Sequence, residues 1–290
     1  MADNLVRTIA KEAGVRALLA VTTGLAAEAA GRHQTAPTAT AALARALTGA
    51  ALLGATLKVQ QRVALKFEGS GPLWKVVTEA DAYGRVRGYV ARPETDLPAR
   101  LDGHDVAAAL GAGVLTVVKD LRIKELYESS VPLLSGEIDA DLTYYLSQSE
   151  QIPSLVTVGV ELDESGRVAH AGGLLLQAIP PYEETHIRQL VERLAEMPPV
   201  VNLLAIGQTP GEILEDLFGE MSYTVLEERP LTFHCNCSWE RTRQALLLLG
   251  REEIEEMLVT EGQAELTCHF CHQKYHFNRA DLEEMLNKQS

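Results

Sequence analysis

The sequence predicts an α+β fold in three parts: a mixed helix and antiparallel-sheet domain over residues 1–178, an amphipathic helical linker over 179–230, and a small cysteine-bearing domain over 231–290. Three observations carry that division. Two stretches of the first part alternate apolar and polar residues on either side of a Gly-containing turn, as antiparallel hairpins do. A Pro-Pro pair at 180–181 opens a run of short helical periodicities. All four cysteines fall in the last fifth of the chain, as Cys235-Asn236-Cys237 and Cys268-His269-Phe270-Cys271.

Residues 36–57 are rich in Ala and Leu around Pro37 and read as a buried helix. Arg62–Phe67 alternates in strand fashion. Leu73–Val77, Asp81–Gly84 and Val86–Val90 read as strand, turn and strand. Asp105 caps a short helix that Gly111 ends, and Val114–Val118 is a β-branched strand. Glu137–Ser149 reads as a helix with Leu142, Tyr145 and Leu146 on one face. Ile152–Leu162, Asp163–Gly166 and Val168–Leu176 form a second hairpin. After Pro180-Pro181, Glu183–Met197 places Ile187, Leu190, Val191 and Leu194 at helical spacing. Val200–Ile206 and Pro210–Phe218 add two more short helices. Such small helices cannot form a core alone. They are either an ordinary subdomain docked on the sheet or a metastable linker that melts to expose apolar surface. In the last part, Ser238 caps a helix through Leu249, and Arg251–Val259 is a second, ending near Gly262. Ala264–Thr267 is a short strand, and Asn278 caps a final helix with Asp281 and Glu283 in its first turn.

The 290 residues are 46% apolar and 23% charged, which fits a soluble globular protein with a sizeable core. Met1–Lys11 lacks the apolar centre of a secretory signal. The apolar run Leu47–Leu57 is too short to span a bilayer and sits beside Arg45 and Lys58. The expectation is a cytoplasmic protein with no membrane partner, whose thiols stay reduced. Net charge is −14, and residues 181–230 alone hold ten acids against three bases. No basic stripe is present, so nucleic acid is not an expected partner. The first 178 residues show no nucleophile elbow and no phosphate-binding loop, so no catalytic site and no enzyme activity is expected there. Gly111-Ala112-Gly113 and Gly172-Gly173 read as turns rather than phosphate cradles.

The cysteines carry the chemistry. Two close pairs from separate segments suit one tetrahedral ion, so Cys235, Cys237, Cys268 and Cys271 are the expected ligands of one Zn²⁺ per chain. Some sixty residues bury too little apolar area for comfortable stability, and a metal staple is the usual remedy. The site is either a static structural zinc, as in a zinc ribbon, or one built to be broken. The single residue between Cys235 and Cys237 and the closeness of each pair favour the second, because each pair can oxidise locally. His234, His269, His272 and His276 lie nearby as polar surface or alternative ligands, with Phe233, Trp239, Phe270, Tyr275 and Phe277 as a small aromatic core. A thiol–disulfide oxidoreductase built on Cys268-His-Phe-Cys271 is the remaining alternative, although such motifs normally open a helix near the start of a βαβ fold.

The whole chain resembles the redox-regulated heat-shock protein 33 family. The likeness rests on Cys235-x-Cys237 and Cys268-x-x-Cys271. It also rests on Gly71-Pro72-Leu73, Gly84–Val90, Lys119-Asp120-Leu121, Ser135–Ile138, Asp141–Leu146, Ser149–Ser154, Ala171–Gly173 and Arg229-Pro230-Leu231. The resemblance implies an ATP-independent holdase chaperone of the stress response, inactive while reduced and zinc-bound. It implies that oxidation closes Cys235–Cys237 and Cys268–Cys271 as disulfides and releases zinc. The zinc domain and linker then unfold, and the chain binds unfolding client proteins, often as a homodimer.

Overall fold

The computed structural model describes residues 2–100 and 103–288. The chain forms two compact units, 1–234 and 235–290. In chain order the first contains β1 (Asn4–Ala10), β2 (Val15–Val21), α1 (Thr23–His33), α2 (Pro37–Gly54), β3 (Arg62–Gly69), β4 (Lys75–Asp81), β5 (Arg85–Val90), α3 (Val106–Leu110), β6 (Gly113–Asp120), β7 (Tyr127–Pro132) and α4 (Ile138–Gln148). It continues with β8 (Ser154–Leu162), β9 (Val168–Ala178), α5 (Glu184–Glu196), α6 (Val200–Ala205), α7 (Pro210–Phe218), β10 (Thr224–Pro230) and β11 (Thr232–Phe233). One sheet has the order β10-β1-β2-β9-β8, the other β11-β5-β4-β3-β6-β7. Every pairing is antiparallel except that of β11 with β5.

Helix α2 lies between the two sheets, and its composition explains how it fits. Alanines at 39, 41, 42, 46, 50 and 51 let a helix approach sheets on both sides, and Leu43, Leu47, Leu52 and Leu53 fill the remaining space. Leu18, Ala20, Val156, Val158 and Leu175 meet it from the five-stranded sheet. Val63, Leu65, Phe67, Val76, Val86, Leu115 and Val117 meet it from the six-stranded sheet. The one charge in α2, Arg45, is paired with Glu137 at 2.7 Å.

The five-stranded sheet is covered on its second face as well. Ala17, Leu19, Val21, Leu174 and Leu176 point outward to Leu190 of α5, Val200, Leu203 and Leu204 of α6, and Ile213, Leu214, Leu217 and Phe218 of α7. Residues 179–230 therefore lie inside the first unit, where α5–α7 roof a sheet face and β10 extends its edge beside β1. Residues 224–230, grouped with a helical stretch in the sequence reading, form strand β10. Of the apolar stripe on α5, Ile187, Leu190 and Leu194 face the cluster, while Val191 is exposed.

Gly172 and Gly173 are not a turn, as the sequence suggested, but lie within β9. A Cβ on Gly172 would stand 2.7 Å from Leu204 of α6, and one on Gly173 2.4 Å from the Thr157 carbonyl and 3.1 Å from Thr48 of α2. Backbone close to helices on both faces has no room there for a side chain. Gly111 does close a turn, at φ +70°, between α3 and β6.

The second unit comprises α8 (Trp239–Leu247), α9 (Arg251–Thr260), the hairpin β12 (Ala264–Thr267) and β13 (Lys274–Phe277), and α10 (Arg279–Lys288). Ser238 caps α8 by accepting from Arg241 N–H, and Asn278 and Asp281 cap α10 reciprocally at 3.1 and 2.9 Å. Its core is small: Leu246, Ile254, Ala264, Phe277, Leu282, Met285 and Leu286. Among the described residues, no helix in the chain is long and apolar enough to cross a membrane.

Candidate metal centre

The four cysteines come together from two local structures. Cys235 and Cys237 lie on the irregular segment ahead of α8, one residue apart so that both sulfurs reach the same point. Cys268 and Cys271 bracket the tight turn between β12 and β13. That turn is held by Cys268 N–H donating to the Gln273 carbonyl and His272 N–H to the Cys268 carbonyl, both at 2.9 Å. His272 takes the left-handed conformation, φ 55°, that reverses the chain. The backbone N–H groups of Phe270 and Cys271 point at Cys268 sulfur, and that of Gln273 at Cys271 sulfur.

All four Sγ atoms lie within 4.8 Å of one another, with Cys235–Cys268 at 3.7 Å and Cys237–Cys271 at 3.3 Å. Four sulfurs about 2.3 Å from one tetrahedral ion stand about 3.8 Å apart, so the cage fits a soft divalent cation. Cys271 is buried and the other three are half-buried.

Electrostatics also ask for a cation. Burial pushes the Cys268 and Cys271 thiols up from their ordinary value, and the neighbouring Cys235 adds to this at Cys268. Burial thus favours the protonated form of these two thiols. A divalent cation held by the four cysteines would reverse that balance by favouring the thiolate form. Tyr275 is the functional side chain that sequence reasoning placed only in an aromatic core. Its hydroxyl donates to Cys237 sulfur at 3.0 Å, and that bond, ahead of burial, pushes its own ionisation up. Position 275 stands opposite Leu266 in the β12–β13 ladder, a register that spacing alone does not disclose.

The Hsp33 protein family model matches residues 3–278 of the chain. The chain belongs to the Hsp33 family. It is 50% identical over 285 residues to the 33 kDa chaperonin of Geobacter sulfurreducens, covering 98% of this chain and 94% of that one. It is 43% identical to the 33 kDa chaperonin of Bacillus subtilis, covering 97% of each. Among solved structures, the 33 kDa chaperonin (heat shock protein 33 homolog) of Thermotoga maritima superposes with a TM-score of 0.92 at 37% identity, over 99% of this chain and 98% of that one.

In this Hsp33 family member the structure brings Cys235, Cys237, Cys268 and Cys271 into one cluster that can hold a metal ion. His234, His269, His272 and His276 are all exposed and stand outside that group; His276 instead faces Glu265 at 3.3 Å. The Cys268–Cys271 turn joins two strands and does not open a helix, unlike the strand-to-helix setting of an oxidoreductase motif. Phe277, in the core of the second unit, packs against the exposed Trp239 with ring centroids 5.2 Å apart.

Proposed function

We propose that this chain is a redox-switched, ATP-independent holdase of the cytoplasm. In this reading Cys235, Cys237, Cys268 and Cys271 hold one zinc ion while reduced. The carrying observation is a four-thiol cage, within 4.8 Å throughout, in a unit whose hydrophobic core has seven buried side chains among the described residues. A core of that size rarely supplies more than about 3–5 kcal/mol, whereas zinc contributes about 10–16 kcal/mol in small zinc peptides. When bound, zinc supplies that folding energy and keeps four sulfurs deprotonated and close. The chain's own residues do the rest. Tyr275 and the N–H groups of Phe270, Cys271 and Gln273 orient the sulfurs and disperse their charge.

Peroxide is the oxidant class we assign. One sulfur of each pair attacks a peroxide oxygen, giving a sulfenic acid and expelling hydroxide. The paired sulfur then attacks the sulfenic sulfur and displaces hydroxide, which leaves as water with a proton from solvent, to form the disulfide. Two peroxides take four electrons and close Cys235–Cys237 and Cys268–Cys271. With the cage dismantled, residues 235–290 lose their main source of stability. Melting then runs back along the chain through the two-residue β11 and the exposed strand β10 to α7, α6 and α5. Those helices have 9, 6 and 13 residues, lengths that are marginal in water without docking. Ten acids against three bases over 181–230 add self-repulsion. Their apolar faces, and the sheet face they cover, become an adaptable surface for unfolding client proteins, and two oxidised chains associate as a homodimer.

The test is peroxide with mild heat, following zinc release with a chromogenic chelator and aggregation of a denatured client by light scattering. One zinc per chain should leave as suppression appears. Zinc loss with undiminished aggregation rejects the holdase reading.

A further inference from the structure

Strand β8 is an edge of the five-stranded sheet. The β9 ladder fixes which of its backbone groups face outward. The Pro153 carbonyl accepts from Ala178 N–H, and Ser154 stands opposite Gln177, so residues 155, 157 and 159 bond to β9. The N–H and C=O of Val156, Val158 and Val160 therefore point away from the sheet. Val156 N–H donates to Thr143 Oγ1 of α4 at 2.9 Å. No partner is found for the N–H of Val158 or Val160 among the described residues.

A cavity of about 460 Å³ opens along this stretch. Thr157–Val160 form its floor, Arg45 and Asp139 one lip, and Leu194 with residues 197–202 the other. The second lip is apolar through Met197, Pro198, Pro199 and Val201. Arg45 Nε and Thr157 Oγ1 are buried in this lining without a hydrogen-bond partner among the described residues. Unpaired main-chain groups along an edge are complementary to another extended backbone. The apolar lip suits aliphatic side chains.

We propose that this groove binds an extended stretch of unfolded client polypeptide by strand addition to β8. The proposal rests on the holdase reading for the identity of the polypeptide. The outer lip belongs to the 179–230 segment, so melting of that segment widens the groove and lengthens the edge on offer.

The probe is a capped, cysteine-free heptapeptide of alternating valine and threonine, added to the full chain, reduced and zinc-loaded or oxidised. Residue-resolved amide exchange should slow at Val158 and Val160 by about tenfold or more, while Gly159, already bonded to β9, stays unchanged. The substitution Val158→Pro removes an outward N–H without touching the β9 ladder, and should weaken peptide binding by about fivefold to tenfold. If that variant distorts the strand, the wild-type exchange experiment decides alone. No peptide binding at millimolar concentration, or binding with unchanged exchange at both valines, overturns the proposal. Protection that rises with protein concentration in the absence of peptide also overturns it, and identifies a second copy as the occupant. Peptide-dependent protection in a protein that fails to suppress aggregation would keep the groove and reject the holdase reading; suppression without that protection does the reverse.

Discussion

Replacing Phe218 by Ala should partly activate the chain without oxidation. Phe218 ends α7, is fully buried against the outer face of the five-stranded sheet, and stacks on Tyr223 with ring centroids 4.6 Å apart. Removing such a ring costs about 3–5 kcal/mol of packing. α7 has nine residues and depends on docking for its helicity, so most of that loss falls on the docked state of the roof rather than on the α2 core. At about 1.4 kcal/mol per tenfold, the undocked population rises roughly 140- to 3,700-fold. Hydrogen exchange on the reduced, zinc-loaded variant should show α7 amides exchanging faster by that factor while those of α2 stay protected. The same sample should suppress client aggregation with no disulfide formed. Fast exchange in α7 with no suppression would refute the idea that the roof is the switch.

Cys271→Ser removes the buried thiol of the proposed cage, and the purified chain should carry well under one zinc and lose helical signal from α8–α10, as metal analysis and circular dichroism will report. Tyr275→Phe deletes the hydroxyl donated to Cys237 and should weaken zinc retention about 10- to 100-fold in chelator competition. Asp141→Ala leaves three backbone donors, of Leu134, Ser135 and Gly136, without their buried carboxylate, and should lower the stability of the first unit by about 3 kcal/mol in urea melts. Asp163 accepts from Ser165 and Arg167 in the β8–β9 turn, which holds its carboxyl down to about 2. The folded value lies below the ordinary one, so the turn is fully supported above the usual carboxylate range and loosens only as pH falls toward 2; a carbon-13 titration should find that midpoint.

The hairpins β4–β5 and β8–β9 were legible because their alternation survives in sequence, and in β3, β4 and β5 one face is buried while the other meets solvent. β2, Val15–Val21, left no such mark, because α2 covers one face and α5–α7 the other, so Ala17–Val21 is a continuous apolar run. The same double coverage made Gly172-Gly173 look like a turn. β7 and β10 are mostly exposed edge strands ending in Pro132 and Pro230, and carry almost no pattern. The four-cysteine cage was legible from spacing, since only sulfur in close pairs serves it. Tyr275 was not, because its role depends on a hairpin register and on the direction of one hydroxyl.

The most direct measurement is amide exchange over residues 235–288 in reduced protein, before and after a chelator strips the metal with no oxidant present. Protection across α8–α10 and the β12–β13 hairpin should collapse once the metal is gone and return when zinc is restored. Native protection retained in the metal-free, fully reduced chain would contradict the claim that coordination by the four thiols holds this unit folded.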